Sequence, residues 1–194
     1  MGLIFILSPA DCAGARARLI RNLDAGFDLA KRVRSSGAPL GDVFSFMSGL
    51  YFRGKLAYAR AFARPPQGAD GVLVITAGDG LRPIDDLITV TDLERYATVP
   101  IAVEEARYRT PLQRDAGRLA ERLDANCKVV LLGSIATRKY TDVLSAAFAK
   151  RLRFPREFVG LGDMSRGALL LRCVREAREL AYDEIGATAP RQRA

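Results

Sequence analysis

The sequence predicts an α/β fold, a single-domain, three-layer sandwich built on a mainly parallel central sheet. Three observations lead there. Short apolar runs break off into small or polar residues at four places, and segments with helical spacing separate those runs. The 194 residues, 49% of them hydrophobic, are enough for one sizeable core. No stretch approaches the roughly 18 consecutive apolar residues of a membrane span.

Residues 3–7 open the chain as a strand, stopped by Ser8-Pro9-Ala10-Asp11. An aliphatic, β-branched run between turn formers reads as a strand buried on both faces. Residues 13–34 are helix-compatible, interrupted at Gly26, and Ser35-Ser36-Gly37-Ala38-Pro39 is a loop. Over 43–63 the spacing is helical: Phe52, Leu56, Ala59 and Ala63 form one stripe, and Tyr51, Lys55, Tyr58 and Phe62 the next. After Pro65-Pro66-Gln67-Gly68 a second strand, 72–75, closes on Thr76-Ala77-Gly78-Asp79-Gly80. Thr91-Asp92-Leu93-Glu94 and Thr110-Pro111-Leu112-Gln113 read as capping boxes, the second with proline at the first helical position of a helix reaching 123.

A third strand, 129–132, runs into Gly133-Ser134, and a helix over 137–152 carries Tyr140, Val143, Leu144, Ala147 and Phe148 on one face. Phe158-Val159 is the fourth run, breaking at Gly160-Leu161-Gly162-Asp163. The last helix, 165–182, is expected to bury Leu170, Val174, Ala177 and Ala181, braced by the pairs Arg172–Glu176 and Arg175–Glu179. Strand–helix alternation without a linker implies one domain over 1–186, followed by a basic tail, 187–194, expected to be disordered.

Composition narrows the chemistry. The chain has no histidine, which removes the commonest general base and metal ligand and excludes Ser–His and Cys–His pairs. Cys12, Cys127 and Cys173 lie far apart, which argues for a reducing, cytoplasmic setting and against a disulfide frame or zinc ribbon. No secretion signal is evident, and no metal, cofactor or membrane is expected. A net charge of +8 suits a nucleic-acid or phosphate partner as well as an arginine-rich surface.

In an open α/β sheet, ligands sit beyond the carboxyl ends of the strands, so the four breaks hold the candidate residues. Gly133-Ser134-Ile135-Ala136-Thr137-Arg138-Lys139 can hold a phosphate through free N–H groups, Ser134, Thr137 and Lys139; close strand–helix packing and a Thr137 cap explain the same residues. Gly162, Ser165 and Arg166 repeat that logic, with Asp163 as a cap, an Arg166 partner or a base. The segment opening at Gly133 is neither a Walker A loop nor a GxGxxG fingerprint. Ser8, a further phosphate-binding candidate, Asp11 and Cys12 place a hydroxyl, a carboxylate and a thiol at the first break, where Cys12 is a candidate activated thiol near a helix start, and Asp79 lies in the second. Asp85-Asp86 lacks a third ligand for a cation. Tyr51, Lys55 and Tyr58 form either a base-stacking, anion-binding wall or an aromatic stripe under a snorkelling lysine.

Two segments carry a resemblance. Leu50-Tyr51-Phe52-Arg53-Gly54-Lys55-Leu56-Ala57-Tyr58-Ala59 and Val72-Leu73-Val74-Ile75-Thr76-Ala77-Gly78-Asp79-Gly80-Leu81-Arg82-Pro83 resemble an uncharacterised bacterial group. Ile6-Leu7-Ser8-Pro9-Ala10 is similar to the opening of the YaaA peroxide-stress family. Both resemblances imply a core like the uracil-DNA glycosylase superfamily and nucleic-acid or nucleobase business, with Leu131-Leu132-Gly133-Ser134-Ile135-Ala136 at that superfamily's strand-to-turn position. The chain departs from YaaA proteins at Asp11, where they carry lysine, and from glycosylases in having no histidine loop.

The expectation is therefore a nucleic-acid- or nucleotide-binding protein. If catalytic, it acts on an N-glycosidic bond, with Asp11, Asp79 or Asp163 positioning water or stabilising an oxocarbenium-like sugar. The alternatives are a non-catalytic DNA-binding stress-response or interaction protein and an enzyme of small phosphorylated metabolites.

Overall fold

The structure, a computed structural model, describes residues 2–185; the expected basic tail, 187–194, lies outside them. In chain order the elements are β1 (Leu3–Leu7), α1 (Ala15–Arg21), α2 (Asp28–Ser35), β2 (Ala38–Pro39), α3 (Leu40–Ser48) and α4 (Leu50–Phe62). There follow β3 (Val72–Ile75), β4 (Leu81–Pro83), β5 (Leu87–Ile88), α5 (Val90–Ala97), α6 (Ala106–Arg122) and β6 (Lys128–Leu132). The chain continues through α7 (Arg138–Phe148), β7 (Leu152–Pro155), α8 (Asp163–Arg175) and β8 (Tyr182–Glu184).

The fold is α/β, with a six-stranded sheet in the order β4-β3-β1-β6-β7-β8 flanked by helices. The four inner strands are parallel, and β4 and β8 pair antiparallel at the edges. All five residues of β1 are buried, as a strand enclosed on both faces requires. It pairs from Leu3↔Lys128 to Leu7↔Leu132 with β6, and from Phe5↔Val72 to Leu7↔Val74 with β3. The chain leaves β1 toward β3, then crosses back over β1 to reach β6. Right-handed crossovers put α4 on one face and α6 and α7 on the other. The connections diverge between β1 and β6, and the crevice at their carboxyl ends is the switch point of the sheet.

Packing explains where the elements depart from sequence expectation. The helix expected over 43–63 is two helices, broken at Gly49, whose φ of 64° and ψ of −135° only glycine adopts freely. In α4 the stripe of Phe52, Leu56 and Ala59 is buried as expected, and α8 packs on α4 where Gly167 meets Leu50, Tyr51 and Gly54. The capping box is Thr89 with Asp92, not the one beginning at Thr91. The second expected box does not exist: α6 begins at Ala106 behind Glu105, and Pro111 sits inside the helix.

The fourth apolar run is not a strand. Phe158 ends a 3-10 turn, Arg156–Phe158, and Val159 is 62% exposed; the strand is Leu152–Pro155, with Leu152, Phe154 and Pro155 buried. The helix expected through 152 stops at Phe148, because Ala149 turns to a φ of 47°. The last helix ends at Arg175 rather than 182: Ala177 takes a φ of 48°, and Tyr182 joins β8. Leu170 is buried, Val174 half-buried, and Ala177 and Ala181 exposed. With the helix ended, Glu176 pairs with Arg178 and Glu179 with Arg64, so neither expected i,i+4 pair forms. Among the described residues, no helix is long and apolar enough to cross a membrane.

Candidate functional site

The carboxyl ends of β1 and β6 meet directly. Ser8 N–H donates to Leu132 O at 3.1 Å, and Gly133 packs so closely that a Cβ there would lie 2.9 Å from Ser8 Cβ and 3.2 Å from its Oγ. Glycine is needed at 133 for this approach rather than for backbone freedom. Just beyond the junction a cleft of about 410 Å³ opens. Its floor comes from Pro9 to Ala13, its apolar wall from Ala77, Val99, Pro100 and Ile101, and its rim from Tyr96, Lys139 and Tyr140.

Of the three candidate carboxylates, only Asp11 lines this cleft. Its Oδ1 accepts a hydrogen bond from Ala13 N, forming a local turn that leaves the side chain exposed. Asp79 is held by Arg95, by the Tyr96 hydroxyl at 2.6 Å and by Arg82 at 3.7 Å. Such a carboxylate ties the β3–β4 turn to α5 and has little capacity left to act as a base. Asp163 begins α8 after Gly162, 71% exposed, with Arg166 at 3.7 Å.

The phosphate-binding expectations divide. At α7, Ser134 Oγ accepts from Ala136 N, while Thr137 occupies the N-cap position without a side-chain cap, leaving first-turn N–H groups open. Lys139 lies on the cleft rim, its Nζ 5.1 Å from the Tyr140 ring. At α8, Gly162 and Ser165 are exposed, and Arg166 is spent internally. Its Nε and Nη2 donate to Phe158 O and it stacks over the Phe158 ring, so it clamps the 3-10 turn.

Tyr51, Lys55 and Tyr58 do not form a stacking wall, because all three are buried. Tyr58 turns toward the edge strand β8, where its hydroxyl meets Tyr182 at 2.7 Å and accepts from Leu180 N. Lys55, 1% exposed, runs up α4 to Ser8, donating to the Ser8 carbonyl at 2.7 Å and to Ser8 Oγ at 2.8 Å. The Tyr51 and Phe52 rings lie 4.6 and 4.7 Å from its Nζ. Burial pulls the Lys55 ammonium down to about 7, opposed by the field of Asp163. The Tyr51 hydroxyl is buried, and its polar neighbour is Arg166, which also holds Phe158 O and Asp163. Burial pushes that phenol up to about 12, with Arg166 pulling the other way.

Cys12 is not an activated thiol: burial, with Asp11 beside it, pushes it up to about 12. Sequence reasoning missed the wall from Thr98 to Ile101, which has no motif, and Tyr96, which only the fold of α5 brings to the rim. It singled out Ser8 and Lys55 separately, with nothing to join residues 47 positions apart. No protein-family model matches the chain, and neither curated proteins nor solved structures show significant similarity to it.

Proposed function

We propose that this chain binds a phosphorylated ligand of nucleotide size in the cleft beyond β1 and β6. One observation carries the reading: the cleft joins a carboxylate, an ammonium and an uncapped helix start on an apolar wall. Its volume, about 410 Å³, suits a small molecule and is too small for a duplex. Arg138 and Lys139 open α7 with no acidic residue in its first turn, an arrangement the helix dipole disfavours unless an anion is present. Arg138 is paired with Asp142, which leaves Lys139 to meet a phosphate together with Ser134 and the α7 N–H groups. The nucleoside portion rests on Val99, Pro100, Ile101 and Tyr140.

Within this reading the sandwich is of the uracil-DNA glycosylase-like kind and akin to the YaaA family, supported by the Ser8-Pro9-Ala10 opening at the switch point. Three free cysteines fit a cytoplasmic setting. Chemistry at an N-glycosidic bond falls to Asp11, the candidate carboxylate on the cleft, which would stabilise an oxocarbenium-like sugar.

Thermal unfolding with mononucleotides, sugar phosphates and an oligonucleotide tests this. A nucleotide at 100 times its Kd should add about 2.7 kcal/mol, and Lys139→Gln or Asp11→Asn should weaken that gain. Stabilisation by the oligonucleotide alone, salt-sensitive and surviving both substitutions, would support the non-catalytic DNA-binding alternative.

A further inference from the structure

We infer that Ser8 and Lys55 form a nucleophile–base pair able to take an acyl group from an ester or thioester. The inference is independent of the phosphate reading, since neither residue is among those that line the cleft. Lys55 Nζ lies 2.8 Å from Ser8 Oγ and 2.7 Å from the Ser8 carbonyl. In the neutral amine, one N–H keeps the carbonyl and the lone pair accepts the Ser8 O–H, so the same geometry serves a base. A buried lysine with a purely structural role is usually matched by a carboxylate. Among the described residues none lies within 4 Å of Nζ, and the faces around it are the Tyr51 and Phe52 rings.

The titratable and charged groups bearing on Lys55 come from three helices. Tyr51 is on α4, Asp163 and Arg166 are on α8, and Tyr140, whose phenol feels both Tyr51 and Asp163, is on α7. Burial lowers the Lys55 affinity for protons, and Asp163, acting through its field, raises it by less. A second feature lies beside the pair: the Tyr51 hydroxyl, on a residue 8% exposed, has Arg166 as its only polar neighbour among the described residues and makes no well-formed hydrogen bond to it. It offers a donor that a substrate oxygen can satisfy. Ser8 is 6% exposed and directly precedes Pro9, where the lining of the cleft begins.

In the step, Ser8 Oγ bonds the acyl carbon as its proton passes to neutral Lys55 Nζ. The substrate's C–O or C–S bond breaks, and the departing alkoxide or thiolate takes the proton back from Lys55. Water then attacks the acyl-serine with Lys55 again as base, releasing the acid and restoring the Ser8 hydroxyl.

A fluorophosphonate probe on the full chain tests the pair, because attack by Ser8 forms an O–P bond and expels fluoride. The expected result is a single adduct mapped to Ser8, absent in Ser8→Ala. Its rate should rise about 30-fold between pH 5.5 and 8.5, following the neutral fraction of a base titrating near 7. Asp163→Asn should move the midpoint of that profile to lower pH, and Lys55→Arg should slow labelling by about 100-fold or more. No adduct at Ser8, a rate flat with pH in the unmodified chain, or a midpoint unmoved by Asp163→Asn would each overturn the pair. Those three results do not depend on Lys55→Arg folding, and none bears on nucleotide binding.

Discussion

Lys55→Met isolates the energetics at the centre of the fold. Methionine matches the length of the lysine stem and can lie against Tyr51 and Phe52. In the native protein the ammonium titrates near 7, against 10.5 when exposed. A folded-state value below the unfolded one means the unfolded chain binds more protons between those limits, so stability rises with pH there. Below pH 7 both states are charged and the burial cost, about 5 kcal/mol, is fully present; it fades as pH climbs toward 10.5. From pH 6 to pH 9 the native chain should gain about 3 kcal/mol from this one group. The methionine variant lacks that gain and leaves the Ser8 carbonyl and hydroxyl without their donor, about 1–3 kcal/mol for each. Urea unfolding of both proteins at pH 6 and 9 reads the comparison, with all other titrations cancelling. The stability difference between them should shift toward the native chain by about 3 kcal/mol at the higher pH. A difference that stays constant would mean Lys55 keeps an ordinary ammonium, and the description of its pocket would be wrong.

Gly167→Ala should destabilise the fold by about 3 kcal/mol in urea melts, because its Cβ would sit 2.9 Å from the Tyr51 Cα and 3.0 Å from Leu50 O, both backbone. A cost below 0.5 kcal/mol on the order-of-magnitude scale of surface changes would show that α4 and α8 are not in such close contact. Asp79→Asn should cost about 2 kcal/mol while leaving nucleotide-induced stabilisation intact, since this carboxylate serves Arg95 and Tyr96; loss of ligand response with unchanged stability would contradict that assignment. Tyr58→Phe removes the bonds to Tyr182 and Leu180 N and should cost about 1–3 kcal/mol, with faster hydrogen exchange in β8 if the hydroxyl anchors that edge.

Much of the architecture was legible because its signals are local. The run Leu3–Leu7 and the run Val72–Ile75 are apolar on both faces, and only a doubly covered parallel sheet accommodates that pattern. The helical stripe through Phe52, Leu56 and Ala59 was legible for the same reason. The errors arose where distant contacts override short-range preference. Leu152–Pro155 is a strand because β6 and β8 supply its hydrogen bonds, whereas Phe158-Val159 has no such neighbours and becomes a turn. Pro111 marked a helix start by its own chemistry, yet tertiary packing of Tyr108 extends α6 one turn earlier.

The site divides along the same line. Sequence by itself determined that any chemistry must proceed without histidine and that the strand ends carry hydroxyls, carboxylates and cations in short reach of helix starts. Only the tertiary structure decided their roles. It tied Asp79 to α5 and Arg166 to Phe158, sent Tyr58 to the far edge, and left Asp11 and Lys139 on the cleft. It also carried Lys55 across 47 positions to Ser8. The reason is physical: composition sets which groups exist, but desolvation and partnership, which set what a buried amine or carboxylate can do, arise only when the sheet and helices close around it.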